Sequence, residues 1–330
     1  MPRHSDTLES GLSGCSQNLA LSTPLQKIIA TEYGLPGAQI AVAPRQFVAE
    51  TYRVTTPEQR TYFCKVVDKP IWIPKIIGSL PVLDALHRAG FERANYPIKT
   101  TFGAFHVMVG NTLVALFSFM EGQQTETFDD EAFGYLLGQV HRLTDKINVD
   151  VPRERFALKH GDTFEGQFDR LLAASVDDPV LVGLQRVLRN REVEIRRQYA
   201  ILQRVIAECN QVDFPLVITH GDPGGNVLAK SPTDLFLVDW DEIMLAPAER
   251  DIWIHDTRQA FMAGYRRAFP DHQPNPLARR YCIASQHFDY MAYYLADITS
   301  NLLVEERTTK LRGFEAYFEG WIKPFLESLQ

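Results

Sequence analysis

The residues most able to do chemistry lie in Leu216–Glu242, which reads LVITHGDPGGNVLAKSPTDLFLVDWDE. An apolar run, Leu216-Val217-Ile218, leads into His220-Gly221-Asp222, and Asn226 follows four residues after Asp222. A second apolar run, Leu235 to Val238, ends in Asp239-Trp240-Asp241. Two short apolar runs bracketed by turn residues predict a hairpin-like unit whose ends bring Asp222, Asn226 and Asp239 together. A magnesium ion prefers hard oxygen ligands, usually one or two carboxylates completed by phosphate and water. Asn226 and Asp239 can supply such oxygens, which leaves Asp222 to accept a proton from a hydroxyl nucleophile.

This division of labour is the one used in phosphoryl transfer by a kinase catalytic loop: one Asp for the proton, an Asn and a later Asp for metal. The bland alternative is three polar residues at unrelated turns. A His-Gly-Asp-x-x-x-Asn match arises by chance in roughly one chain of this length in several hundred. The sequence also holds a control. His160-Gly161-Asp162 repeats the tripeptide, but Gly166 stands where Asn is needed and no apolar strand precedes it, so that copy reads as a loop.

On these residues the chain resembles the aminoglycoside phosphotransferase and choline kinase family, a branch of the protein-kinase-like fold. The run Val238-Asp239-Trp240-Asp241-Glu242-Ile243-Met244-Leu245-Ala246-Pro247-Ala248-Glu249-Arg250-Asp251 is similar to the branch that acts on spectinomycin. The resemblance implies an α+β, two-lobed fold, with a small antiparallel-sheet N-lobe over 22–120 and a large helical C-lobe over 121–330. It also implies transfer of the γ-phosphate of ATP, or of GTP, with Mg2+, to a hydroxyl of a small cationic substrate. An aminocyclitol or aminoglycoside antibiotic is the first expectation, spectinomycin ahead of others. A metabolic kinase for a choline-like, sugar or amino-alcohol substrate fits the same residues, and a nucleotide-binding pseudokinase scaffold is the non-enzyme alternative.

The elements that must position these groups follow along the chain. Residues 1–21 are rich in Ser and Gly and are expected to lack regular structure. A helix should open near Pro24, capped by Thr23, with Leu25, Ile28, Ile29 and Tyr33 on one face and Gly34 at its end. Three strands, Gln39–Ala43, Glu50–Thr55 and Thr61–Val67, come next. The intervening Pro44–Ala49 turn would cover phosphates in a kinase-like lobe, although it lacks glycine. Lys65 lies inside the apolar third strand, where an unpaired buried ammonium is costly. The resemblance makes it the lysine that pairs with the α and β phosphates; the alternative is an edge-strand lysine facing solvent. In the family the helix over Pro74–Ala89 carries the acid that holds this lysine; Asp84, the only acid between Lys69 and Glu92, sits later than that pattern places it, so either Asp84 reaches Lys65 or the pair is replaced.

A hairpin around Gly110-Asn111 then leads to Phe119-Met120-Glu121-Gly122. The resemblance makes this the hinge whose backbone binds adenine, with Ser118, Met120 and Glu121 as the contact residues. Helices are predicted over Asp129–Ile147, Phe164–Ala174, Val180–Cys209, Asp251–Ala268, Pro276–Ser300 and Glu305–Leu329. His141 reads as a packed structural histidine. The resemblance gives Asp251 the task of bracing the catalytic loop beside His220; an ordinary N-cap is the alternative. Asp241, Asp289 and Asp297 are the candidate acids for a cationic substrate, and a solvated acidic face is the competing reading for the helical pair.

Composition is consistent with this and excludes little else. The chain has 330 residues, 45% of them hydrophobic and 23% charged, within the range of globular proteins. Its formal net charge of −7 argues against nucleic acid as a partner and suits a cationic one. Cys15, Cys64, Cys209 and Cys282 are widely spaced, with no metal-ligand or compact disulfide pattern. No apolar run is long enough for a membrane span and the N-terminus has no apolar signal core, so the expected location is the cytoplasm. Oligomeric state is not readable.

Overall fold

The computed structural model describes residues 15–43, 49–125, 127–158 and 161–322. The phosphate-covering turn expected at Pro44–Ala49 falls mostly outside them. The chain divides into two compact units. One comprises the described residues up to Glu154 together with Pro215–Gln273; the other comprises Arg155–Phe214 and the described residues from Pro274 onward. This partition differs from a cut between 120 and 121, because the catalytic segment groups with the N-terminal sheet.

The first unit opens with α1 (Cys15–Glu32). The helix starts earlier than Pro24, which lies inside it, and residues 15–21 are helical rather than irregular. Gly34, at φ +66°, takes the left-handed conformation that lets Leu35 N–H return to Ile29 O at 3.2 Å, closing the helix end as expected. Strands β1 (Gln39–Val42), β2 (Glu50–Thr55), β3 (Thr61–Val67), β4 (Val107–Val109) and β5 (Thr112–Ser118) form an antiparallel sheet in the order β1-β2-β3-β5-β4. Period-2 alternation sorts their side chains between two faces. Tyr52, Val54, Cys64, Val114 and Leu116 meet Leu25, Ile29 and Tyr33 of α1. Val67, Leu113, Ala115 and Phe117 meet α2 (Ile73–Arg88), which presents Ile76, Leu80, Leu83 and Leu86. Burying each such side chain contributes about 1.5–3 kcal/mol. Lys65, registered opposite Ala115, lies on this α2 face and is 2% exposed.

Beyond β5, a two-residue strand β6 (Gln123–Gln124) leads into α3 (Asp130–Arg142). Asp129 caps that helix by accepting Ala132 N–H at 2.8 Å. The rest of this unit comes from the second chain segment: β7 (Val217–Thr219), β8 (Val227–Ser231), β9 (Asp234–Leu237) and β10 (Met244–Ala246), followed by α6 (Glu249–Ile252) and α7 (Gln259–Ala268). One helix was expected over Asp251–Ala268; the chain instead forms a short turn of helix, a break, and α7. Helices α3 and α7 cross at close range. A Cβ on Gly134 would overlap the Phe261 carbonyl oxygen, one on Gly264 would overlap the Glu131 carbonyl oxygen, and one on Gly138 would lie 2.7 Å from Tyr265 O. Real Cβ contacts do not reach such distances, so backbone meets backbone here only because these positions lack side chains.

The other unit is helical: α4 (Gly161–Ala173), α5 (Pro179–Cys209), α8 (Pro276–Ile298) and α9 (Val304–Tyr317). Gly161 and Asp162 of the repeated tripeptide belong to α4 rather than to a loop, and His160 lies outside the described residues. Asp178 caps α5 through Val180 and Leu181 N–H groups at 2.8 and 3.1 Å and accepts Arg307 of α9 at 2.8 Å. Phe164, Tyr199 and Phe288 pack as an aromatic core. The expected helix over Glu305–Leu329 extends beyond the described residues. No helix among the described residues is long and apolar enough to cross a membrane.

Candidate active site

The two apolar runs flanking the motif do not pair with each other. β7 is buried throughout and pairs antiparallel with β10, Ile218 opposite Leu245. β9 pairs with β8, Leu228 opposite Phe236, and β8 pairs on its other side with β6. The sequence reading missed β8 because Val227-Leu228-Ala229-Lys230 is short and borders a glycine-rich turn.

β7 delivers the chain into His220-Gly221-Asp222, where the backbone is held from several sides. Asp251 accepts N–H groups from His220 at 2.7 Å and Gly221 at 2.8 Å. His141 lies 3.2 Å from Asp251 through Nε2 and 2.7 Å from the Tyr265 hydroxyl through Nδ1. Donation from Nε2 to Asp251, with Nδ1 accepting the Tyr265 hydroxyl, satisfies both contacts. Burial pushes the Asp251 carboxyl up, but the His141 hydrogen bond and the nearby positive charges outweigh it and hold it below the ordinary value. Asp251 thus holds two backbone N–H groups of this loop, and His141 is buried between Asp251 and Tyr265. Tyr265 carried no signal in the sequence, being one tyrosine on an amphipathic helix.

His220 is buried, and burial lowers its pKa. Its Nε2 donates to Val238 O at 2.9 Å, and its Nδ1 accepts Asp222 N–H at 3.3 Å. Gly221 sits at φ +100°, and a Cβ there would lie 2.6 Å from Arg250 Cζ. The Arg250 guanidinium fills that space and donates to Thr219 Oγ1 at 2.8 Å. The glycine is thus required twice, by conformation and by contact.

Asp222, Asn226 and Asp239 come together. Asn226 Nδ2 donates to Asp222 O at 2.8 Å, and Val238 N–H donates to Asn226 O at 3.0 Å, placing Asn226 beside the start of the Asp239 segment. Burial raises the Asp222 pKa; His220 opposes this, and the charges of Glu242, Asp239 and Asp251 reinforce it. Asp239 has φ +64°, a left-handed conformation that Asp tolerates better than a branched residue. It accepts Lys65 Nζ through Oδ1 at 2.5 Å while its side chain keeps 25% exposure. Burial alone would raise its pKa, but the Lys65 ammonium overrides this and lowers it. The donor set fits a hard divalent cation. The amide nitrogen of Asn226 is turned to Asp222 O, which directs Oδ1 elsewhere, and Asp239 is an ionised carboxylate with solvent access. No group of three or more His, Cys, Asp or Glu side chains among the described residues could hold a metal by itself.

The geometry decides one open alternative and corrects one expectation. Asp84 does not reach Lys65; it pairs with Arg88 at 3.0 Å and Lys99 at 3.6 Å. Asp241, expected to face a substrate, is buried and accepts Lys65 Nζ at 2.8 Å. Burial and the neighbouring Asp239 charge, offset in part by Lys65, push its carboxyl up to about 6. In the segment expected to be the hinge, Ser118 exchanges bonds with Tyr96, accepting Tyr96 N–H on Oγ at 3.0 Å and donating its own N–H to Tyr96 O at 2.9 Å. Met120 is half-buried; the exposed Glu121 meets Lys230 of β8 at 3.2 Å. Asp289 and Asp297 belong to the helical unit, where Asp289 is buried and Asp297 pairs with Lys310 at 2.9 Å.

Replacing Asp251 with alanine should therefore cost about 3 kcal/mol of stability at neutral pH, because two N–H donors and His141 lose a buried ionised acceptor. The sign with pH follows from a depressed folded-state pKa. The contribution is complete above the unfolded value near 4 and is lost as pH falls through the folded value. Urea unfolding of both proteins at neutral pH and near pH 3 checks this. A difference that stays the same at both would rule out the ionised brace.

With this geometry in hand, comparison with known proteins places the chain. Residues 40–294 match the model of the phosphotransferase enzyme family. The chain belongs to that family, and is a small-molecule phosphotransferase with a hydroxyl acceptor. Its fold is similar to that of spectinomycin phosphotransferase solved with ADP and spectinomycin: TM-score 0.70, 19% identity, covering 90% of this chain and 94% of that one. It is also similar to an amicoumacin kinase solved in complex with AMP-PNP, Ca2+ and Ami: TM-score 0.58, 13% identity, covering 92% of this chain and 95% of that one. Choline kinase from Cryptosporidium parvum Iowa II is similar at TM-score 0.50 and 11% identity, covering 92% and 97%. No curated protein matches the chain by sequence.

Proposed function

We propose that the protein transfers the γ-phosphate of ATP to a hydroxyl of a small cationic antibiotic of the aminocyclitol or aminoglycoside kind, with spectinomycin the first substrate to test. The observation that carries the phosphotransfer part is the convergence of Asp222, Asn226, Asp239 and Lys65 within one compact unit. The likeness to spectinomycin phosphotransferase over 90% of the chain supports the substrate class.

In this reading Asp222 accepts the hydroxyl proton, helped by a carboxyl pKa that burial raises above its ordinary value. Asn226 and Asp239 would hold Mg2+, which would supply charge neutralisation for the transferred phosphoryl group. Lys65 pairs with the phosphates, and the Phe119–Gly122 hinge seats the base through Met120 and Glu121 backbone groups. His220 and Asp251 keep the loop in place. Catalysis is then mostly positioning and charge neutralisation. Asp289 and Asp297 are carried forward as substrate acids, with Asp297 having to exchange Lys310 for the substrate.

The test is an ATP-consumption assay with and without Mg2+ against spectinomycin, other aminoglycosides, choline and simple sugars. Magnesium-dependent turnover with spectinomycin, weakened by added salt, is expected. Turnover only with choline or a sugar would move the protein to a metabolic kinase, and nucleotide binding without turnover on any of them would favour a scaffold. The metal assignment has its own check. Asp239→Ala should weaken ATP binding at least ~10-fold in the presence of Mg2+ and change it little without, since it removes an ionised oxygen ligand. Equal magnesium-dependent affinity in both proteins would exclude Asp239 as a ligand.

A further inference from the structure

We infer that Asp241, two residues past the metal-facing Asp239, is the positioning residue for Lys65 and takes the place of an acid from helix α2; this rests on the phosphotransfer reading above. Lys65 Nζ is bonded to Asp239 at 2.5 Å and Asp241 at 2.8 Å, and both Lys65 and Asp241 are buried. Helix α2 has no acid in its first turn, and its single acid, Asp84, is engaged by Arg88 and Lys99. The polarity across this contact is reversed. It is α2 that offers a cation, Lys75, to Glu242 of the Asp239–Glu242 segment at 2.7 Å. Glu242 in turn meets Arg250 at 3.5 Å, and Arg250 packs on Gly221 of the catalytic loop.

The two acids on Lys65 differ in what they can release. Asp239 keeps 25% exposure and can turn to a cation; Asp241, at 9%, is enclosed and stays on the lysine. When nucleotide and metal arrive, Asp239 leaves Lys65 for the metal, and Asp241 keeps the ammonium at its place for the phosphates. A buried ammonium held by no anion would be strongly destabilised, so one permanent acid is needed.

A double-mutant cycle on the full chain tests this. Asp241→Asn should lower kcat/KM for ATP by about 30-fold, with a rise in KM as well as a fall in kcat. Lys65→Met should lower it further. Adding Asp241→Asn to Lys65→Met should change it by no more than about twofold, because Asp241 acts only through the lysine. Asp84→Asn should match wild type. Independent, multiplying losses from Asp241→Asn and Lys65→Met would overturn the assignment, as would wild-type kinetics in Asp241→Asn or a cycle that closes on Asp84 instead. If wild type consumes no ATP, the functional reading fails, and the same cycle is read in Tm: less-than-additive drops support the pair, additive drops refute it. If Asp241→Asn alone does not fold, a folded double variant supports the pair, since it removes cation and anion together, and an unfolded double variant counts against it.

Discussion

Asp222→Ala should lower turnover by at least ~10², and by up to ~10⁴, while leaving ATP affinity within about threefold. The split follows from position. Asp222 is held at the end of β7 by Asp251 and His220, and its side chain is not bonded to Lys65, the group proposed to meet the phosphates. Its removal takes away the proton acceptor and leaves nucleotide contacts standing. Because burial raises its pKa, the acid limb of kcat/KM in the wild-type protein should lie above the ordinary Asp value near 4. Single-turnover kinetics and nucleotide titration of the purified variant decide the matter. Near-normal turnover would remove Asp222 from the chemistry, and a parallel collapse of ATP binding would recast it as a structural residue.

The second large effect is on folding. Gly264→Ala should destabilise the protein by about 3 kcal/mol or more, at or beyond the upper end of ordinary overpacking, because the added methyl meets the Glu131 carbonyl of the facing helix rather than a yielding side chain. Gly134→Ala should do the same against Phe261 O. The helices can admit the methyl only by separating, and that pulls Tyr265 from His141 and loosens the Asp251 brace. Activity should therefore fall along with stability. Gly166→Ala in α4 is the control: nothing lies within 4 Å of the added Cβ, and a helical Gly→Ala change alone is worth up to about 1 kcal/mol in favour of the variant. Thermal unfolding of the three variants tests the idea; a Gly264→Ala protein as stable as Gly166→Ala would show that the crossing relaxes at no cost.

What could be read from sequence depended on how local the cause was. Strands β2 and β3 were predicted residue for residue because period-2 patterning and flanking turns are local signals. Asp222, Asn226 and Asp239 were legible as a group because a fixed spacing ties residue type to one chemistry. Strand pairing was not legible. β7 finds β10 and β8 finds β6 through contacts distant in sequence, while the local β8–β9 hairpin was hidden because β8 is short and borders a glycine-rich turn; two apolar runs near each other gave a simpler, incorrect answer. The partner of Lys65 was hidden for the same reason: the lysine and its acids are separated by 174 and 176 positions. Arg250 and Glu242 were present in the motif that carried the resemblance, but only the packing at Gly221 gives Arg250 a task. The break between α6 and α7 has no proline or glycine to announce it.

The pairing of β6 with β8 has a consequence for nucleotide choice. Gln123 and Gln124 follow the hinge directly and are zipped to Ala229 and Leu228, while Gln124 Nε2 donates to Gly225 O at 3.0 Å, inside the loop between Asp222 and Asn226. Gly122 allows this approach, since a Cβ there would lie 3.2 Å from Ala229 O. In the proposed reading, the segment that would seat the base and the loop that would meet the transferred phosphoryl group are therefore tied to one small sheet, which would fix the span between them. On that reading the span would act as a gauge, and donors one phosphate shorter or longer would present the wrong atom to the acceptor hydroxyl.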